Sequence, residues 1–168
     1  MWSKIRAKLE KEYLAPSLRG HIQYFATSYS KCHDHEGRAA IRYDGEEILK
    51  SSYFEKMIAH SREFHRMYDN SPEAGYSECW LKAFDEAEKA GEFDQRSFYR
   101  AFDEFDNQSI ELSLKSENPV VRLFVVLDRR VGKRRLLKLK DDIVNEPEWL
   151  QPFYILRLNA EGINAGGE

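Results

Sequence analysis

Hydrophobic residues at the start of the chain recur with the spacing of a helix. The apolar positions of this face are Trp2, Ile5, Leu9 and Tyr13. The spacing predicts an amphipathic helix that Ser3 can cap and that ends near Pro16. A helix of this kind needs an apolar surface to pack against. We expect the segment that follows to provide it.

That segment changes from helical to strand-like composition. Residues 21–31 and 38–43 are rich in aromatic and β-branched residues, and a polar turn at residues 33–37 joins them. Asp44-Gly45 is a two-residue hairpin signal that leads into a third strand at residues 46–50. Together these signals predict a three-stranded antiparallel meander.

From Ser52 onward the hydrophobic period is again that of a helix, and three helices are predicted up to residue 105. The first stripe is Phe54, Met57, Ile58, Phe64, Met67 and Tyr68. The second, which ends at Gly91, is Tyr76, Trp80, Ala83, Phe84 and Ala87. The third, capped by Asp94, is Phe98, Ala101, Phe102 and Phe105. We expect each helix to bury its stripe.

Residues 120–127 have the length and composition of a buried strand as well as of a buried helix. The flanks favour the helix, because Ser116 and Asn118 can cap it and Pro119 fits its first turn. Residues 113–130 also resemble one unit of a HEAT-type repeat. A single unit predicts a packed helix pair and not a solenoid. Further helices are expected at residues 133–140 and after Pro147, with an end at Gly162.

These elements predict an α+β fold, with an N-terminal helix and a three-stranded antiparallel meander followed by an all-helical C-terminal part that contains one HEAT-like helix pair. We interpret residues 1–168 as a single domain. Residues 1–51 form the helix and meander, residues 52–162 the helical part, and residues 163–168 a loose tail. No segment between residues 50 and 109 has the Gly, Pro and Ser content of a flexible linker.

The composition favours a folded, cytosolic protein. Hydrophobic residues make up 42% and aromatic residues 13% of the 168 positions, which is typical of globular chains and excludes a disordered one. The two cysteines are too few for a disulfide framework, and no signal peptide is recognised, so we expect a cytoplasmic location. The longest apolar run, residues 123–127, is too short for a membrane span, so we expect no membrane partner.

Charge is unevenly distributed along the chain, whose net charge is −3. Residues 128–142 contain seven Lys or Arg and three Asp, whereas residues 73–106 contain ten acidic and four basic residues. We expect helices from the two segments to face and neutralise each other. The candidate acidic face for a protein partner is Glu78, Asp85, Glu86, Glu88, Asp103 and Glu104. The alternative is a polyanion site formed by Arg129, Arg130, Lys133, Arg134 and Arg135.

One short segment contains every common type of metal ligand. Cys32, His33 and His35 are weak candidates for a metal-dependent hydrolase at residues 32–36. Ligands so close in sequence rarely close a metal site, and no Cys-x-x-Cys or His-Glu-x-x-His motif accompanies them. A polar hairpin turn is therefore the favoured interpretation. Residues 128–134 lack the glycines and the Ser or Thr of a phosphate-binding loop, and we expect no cofactor.

Several short motifs resemble those of a known family. They are Met1–Lys4, the turn His33-Asp34 with Gly37-Arg38, the hairpin Asp44-Gly45, and Leu127–Arg134. Together they resemble an uncharacterised family of small bacterial cytosolic proteins, a resemblance that implies neither an activity nor a catalytic residue. We therefore expect a non-enzymatic protein-binding module, of the immunity or antitoxin type that acidic bacterial proteins often represent. The alternatives are nucleic-acid binding through residues 129–140 and the hydrolase at residues 32–36.

Overall fold

The computed structural model describes residues 2–32, 36–71 and 73–164. The strands are β1 (Ile22–Ser28), β2 (Gly37–Tyr43) and β3 (Glu46–Ser52). The helices are α1 (Trp2–Ala7), α2 (Tyr53–Asn70), α3 (Tyr76–Lys89), α4 (Gln95–Asn107), α5 (Ile110–Ser113), α6 (Pro119–Val126), α7 (Lys133–Leu139) and α8 (Gln151–Ala160). A π-helix at Lys8–Tyr13 and 3-10 turns at Pro16–Leu18 and Lys140–Asn145 complete the regular structure of this part of the chain. The predicted α+β architecture is confirmed.

The meander forms as its turn signal predicts. Asp44 and Gly45 have φ values of +50° and +88°, the conformation that a two-residue hairpin requires, and β1, β2 and β3 pair antiparallel in that order. The first strand is shorter than expected, because the chain turns after Ser28 and Cys32 N–H donates to Tyr29 C=O. The third strand instead continues past Lys50 to Ser52.

The N-terminal helix packs with the predicted face inward. Leu9 is buried, and the Trp2 ring lies 6.2 Å from Phe98 and 5.8 Å from Tyr99 of α4. The predicted cap is wrong, because the helix begins at Trp2 and Ser3 lies inside its first turn. From Lys8 the backbone widens into a π-helix that ends at Tyr13.

The centre of the molecule is α6, the segment that could have been a strand. Every residue of this helix except Arg122 is buried, which explains why its sequence shows no polar face. Asn118 caps it and Pro119 occupies its first turn, as predicted. The sheet covers one side of α6, where the ring of Tyr24 lies 5.7 Å from that of Phe124. Helix α4 packs on another side of α6, and the short helix α5, which precedes α6 in the chain, also contacts it.

Helices α2 and α3 form an antiparallel hairpin, and here the predicted apolar stripes are only partly right, because Phe64, Ala83 and Ala87 are buried as expected but other stripe residues are exposed. Helix α2 buries Lys56, Ala59, His60 and Phe64, whereas Phe54 is 70% and Ile58 54% exposed. Helix α3 buries Cys79, Ala83, Ala87 and Glu88. Helix α2 packs mainly on α3 and contacts the rest of the molecule at β3 and, through Lys56, at the start of α4, so the predicted core face with Phe54 and Ile58 stays exposed.

The C-terminal segment returns to the main core. Helix α8 buries Phe153, Tyr154 and Leu158, and it ends before Gly162, which has a φ of +70°. Ile163 still packs against the core, whereas residues 165–168 of the expected tail lie outside the described residues. Within the described ranges no helix is both long enough and apolar enough to cross a membrane.

Candidate functional site

The α2–α3 hairpin exposes large apolar side chains along one side, which we name the hairpin surface. It consists of Phe54, Met57, Ile58, Tyr68, Tyr76 and Trp80. Phe54 and Ile58 are one helical turn apart on α2, as are Tyr76 and Trp80 on α3. Scattered exposed apolar residues are normal, but several large ones on a single helix pair, here with the half-buried Met57, are typical of an interaction surface.

Aromatic contacts join the two helices along this surface. The rings of Tyr68 and Tyr76 lie 5.8 Å apart edge to face, and those of Tyr76 and Trp80 are stacked at 5.9 Å. Beneath them, Phe64 contacts both Tyr76 and Trp80. The large rings are therefore held in place by their neighbours before any partner binds, which lowers the entropy cost of association.

A cleft of about 340 Å³ opens at the base of the hairpin surface. Its apolar lining is Tyr53, Met57, Trp80 and Phe84, and its polar lining is Lys56, Asp94, Arg96 and Arg100. Apolar side chains beside a small number of charged groups are the usual composition of a pocket that accepts a large side chain. Methionine adapts its shape to the group that it contacts.

The cleft lies over a buried ionic cluster. Lys56 Nζ donates to Glu88 Oε1 at 3.1 Å, to Asp94 Oδ1 at 3.3 Å and to Ser97 Oγ at 2.7 Å. Asp94 also accepts from Ser97 N–H in a capping box that starts α4. The cluster therefore ties α2 to both α3 and α4 at the point where the hairpin meets the molecule.

Histidine 60 lies beside this cluster within the hairpin. Its ring is 3.9 Å from Phe84 and 4.3 Å from Trp80, and its Nε2 donates to Trp80 C=O at 2.9 Å. The side chain is almost completely buried, so it supports the hairpin and does not face solvent. Lys56 and His60 are the important residues that sequence analysis missed. A helical pattern gave no reason to assign two basic side chains to the buried face.

Three of the six residues of the predicted acidic face line one groove. Asp85, Glu88 and Glu104 line a groove of about 310 Å³ together with Glu117 and Arg100. Glu78 and Glu86 instead form ion pairs with Lys82 and Lys89 on their own helix, and Asp103 accepts from Asn107. The Lys82 hydrogen bond lowers the pKa of Glu78. Only part of the predicted face therefore forms a common site.

Within the groove, Glu88 is not accessible to a partner. Its side chain is buried, and it accepts from Lys56 and, at 2.6 Å, from Arg100. Arg100 lines both this groove and the cleft, so the two depressions adjoin each other. Accessible negative charge at the groove comes from Asp85 and Glu117, with Glu104 half-buried and bound to Ser116.

In the basic segment, two of the predicted anion-binding residues are paired within the protein. Arg130 donates to the buried carboxylate of Asp128, whose hydrogen bond raises the pKa of the guanidinium, and it lies 4.7 Å from the centroid of the Tyr13 ring. Arg135 pairs with Glu111 at 2.6 Å. Neither of these ion-pair partners belongs to residues 73–106, but Arg130 also interacts at longer range with the carboxylate of Asp106, so the predicted neutralisation of the two segments is found in part.

Four further cations of this segment are exposed, and Lys140 is half-buried. Arg129, Lys133, Arg134 and Lys138 form no ion pair within the described part of the chain. Lys133, Arg134 and Lys138 line a groove of about 440 Å³ together with Gly132 and Arg135. The ion pairs of the carboxylates on α3 and α4 are instead formed with Lys56, Lys82, Lys89, Arg100 and Lys8.

The structure adds little to the metal hypothesis. Cys32 is exposed and free, and His33 and His35 lie outside the described residues. No group of three His, Cys, Asp or Glu side chains with metal-binding geometry occurs among the residues that the structure describes.

Comparison with known proteins identifies the family. A family model, described as the SF0329 protein family, matches residues 1–158. The chain belongs to the SF0329 protein family. This agrees with the expected membership of an uncharacterised family, while the expected bacterial origin stays a prediction. No curated protein matches the chain, and no solved structure matches it either.

Proposed function

We propose that this member of the SF0329 family is a non-enzymatic protein-binding module that binds its partner on the hairpin surface. The exposure of Phe54 and Ile58 on α2, and of Tyr76 and Trp80 on α3, is the observation that carries the proposal. Tyrosine and tryptophan are enriched at the energetic centres of protein interfaces. The adjoining cleft accepts one apolar side chain of the partner as an anchor.

The finer form of the proposal is an immunity or antitoxin-like role, in which the module covers a cationic toxin. The accessible carboxylates of Asp85 and Glu117 support it, because they lie at the groove that adjoins the cleft. A partner seated in the cleft would bring its basic groups against these carboxylates, and opposite charges increase the association rate. Reversing both charges to Lys should slow association several-fold at low salt.

The main experiment compares three tagged forms of the chain as bait in a lysate of the source cells. The first is the wild type, the second carries Phe54→Glu and Ile58→Glu, and the third carries Leu112→Glu and Val144→Glu. The third is a matched control, because Leu112 and Val144 are also exposed apolar residues but lie outside the hairpin. Bound proteins are quantified by mass spectrometry and tested again as purified pairs.

We expect at least one protein to bind the wild type and the control, to be depleted more than tenfold with the hairpin variant, and to bind directly when purified. The proposal is wrong if every captured protein binds both variants equally. It is also wrong if the wild type captures no protein.

A further inference from the structure

The exposed side of α7 is a cationic surface that the proposed protein-binding role leaves unexplained. Lys133, Arg134 and Lys138 lie on this side, and Arg129 precedes it in the chain. We name these four residues the α7 cations. We propose that they bind the phosphate backbone of a nucleic acid independently of its sequence.

The α7 cations lie close together and form no ion pair within the described residues, although the charge of Lys133 acts at longer range on the carboxylate of Glu161. Arg134 and Lys138 are four residues apart on one helix, a spacing at which like charges destabilise the helix. Asp141 and Asp142 follow in the next turn, but no ion pair joins them to the α7 cations in the described part of the chain. The chain as a whole has a net charge of −3, so this group is a local feature and not part of a general positive excess.

The backbone that carries the α7 cations is held in place by the rest of the protein. Leu136, on the opposite side of α7, is buried in the main core. On either side of the cations, Arg130 is held by Asp128, and Arg135 is held by Glu111. Backbone bonds from Ala15 to Leu127 and from Arg129 to Tyr13 attach the preceding loop to the N-terminal segment. A site whose backbone is already fixed loses less entropy when it binds.

The exposed side chains of α7 indicate which type of anion binds there. The only large apolar residue exposed on α7 is Leu137, and a seven-residue helix with one such side chain is poorly suited to insertion into a lipid surface. Protein interfaces likewise need an apolar centre. Phosphate contacts need only positive charge, and Lys and Arg provide most of them in nucleic-acid complexes.

The test is fluorescence anisotropy with a labelled 20-nucleotide RNA of mixed sequence, and with duplex DNA of the same length, from low to moderate salt. The site variant carries Lys133→Gln, Arg134→Gln and Lys138→Gln. The matched control carries Lys4→Gln, Lys31→Gln and Lys50→Gln, which removes the same charge from exposed positions outside α7. Circular dichroism and a urea midpoint check that both variants fold.

We expect the wild type and the control to bind at low salt, with affinity that falls as salt rises. Because single strands release about 0.7 counterions per neutralised phosphate, the site variant should lower the slope of log affinity against log salt by about 2. It should also weaken binding more than tenfold at low salt. No binding by the wild type to either probe would overturn the proposal, and so would an equal loss in the two variants. Vesicles with 30% phosphatidylglycerol form a further arm, and tighter binding to these vesicles than to RNA would also overturn it.

Discussion

The ammonium group of Lys56 lies 3.1 Å from the carboxylate of Glu88, and both side chains are buried at the base of the α2–α3 hairpin. The pair joins two helices whose remaining contacts are mostly with each other. Arg100 binds the same carboxylate oxygen from α4, so Glu88 is the common acceptor of a network that spans three helices.

Replacing Lys56 with Met should therefore destabilise the protein. The substitution leaves two buried carboxylates with one fewer donor each, a situation that typically costs about 3 kcal/mol. Urea unfolding followed by tryptophan fluorescence measures the loss. Lys82→Met is the control, because Lys82 forms an exposed ion pair with Glu78, and its unfolding midpoint should match that of the wild type. Equal midpoints for the two variants would show that the buried cluster is not important for stability.

The two phenylalanines of α2 should differ sharply in their effect on stability. Phe64→Ala removes a buried ring from the hairpin and should cost about 3 kcal/mol. Phe54→Ala removes a ring that is 70% exposed and should change stability by less than about 0.5 kcal/mol. Thermal unfolding of both variants compares them. A large loss for Phe54→Ala would mean that this side chain is buried in the folded protein.

Gly91 should not tolerate a side chain. It has a φ of +90°, and a Cβ atom there would lie 2.9 Å from Cδ1 of the Trp149 ring. Gly91→Ala should therefore lower stability by about 2 kcal/mol, through backbone strain and displacement of the ring. Gly75→Ala provides the comparison, because its backbone conformation is ordinary and the position faces open space. Its urea midpoint should stay close to that of the wild type.

Asp106 should make the protein sensitive to acid. Burial opposes its ionisation, but hydrogen bonds from Lys8 and Tyr13 outweigh burial and hold the pKa of Asp106 below its ordinary value of 3.8. Its contribution to stability is therefore complete at neutral pH, and it is lost as the pH falls below about 3.8 through the lower folded-state pKa.

Urea midpoints measured between pH 7 and pH 2 test this. Asp106→Asn should be less stable than the wild type at pH 7, and the two should converge in acid. Asp85→Asn, which removes an exposed carboxylate, should follow the wild-type profile. A constant difference between Asp106→Asn and the wild type at every pH would contradict the assignment.

The fold was predictable where one local signal had one physical meaning. Asp44-Gly45 fixed the hairpin, and Asn118-Pro119 identified α6 as a helix although its residues were compatible with a strand. Both signals act through the backbone of a few adjacent residues, so no knowledge of the tertiary structure was needed.

The candidate site was not predictable in the same way. An apolar stripe on a helix shows which side avoids water in a core, and on α2 this rule placed Phe54 and Ile58 inside. In the folded protein α2 buries a different side. Lys56 lies on that side, and it is buried because Glu88 and Asp94 form ion pairs with it. A local pattern of apolar and polar residues does not show which residues more than 30 positions apart will form a pair. In the same way, the local pattern did not show that Arg135 pairs with Glu111, which lies 24 positions away.

Phe64, Cys79 and Ala83 form a small cluster separate from the main core, and this makes the hairpin a candidate for independent local opening. The thiol of Cys79 is enclosed in that cluster, whereas the thiol of Cys32 is already in contact with solvent. The buried thiol of Cys79 can therefore be used to measure the opening of the hairpin. After the fast modification of Cys32, the rate at which a thiol reagent reaches Cys79 measures how often the two helices separate, and a bound partner that clamps them should slow that rate.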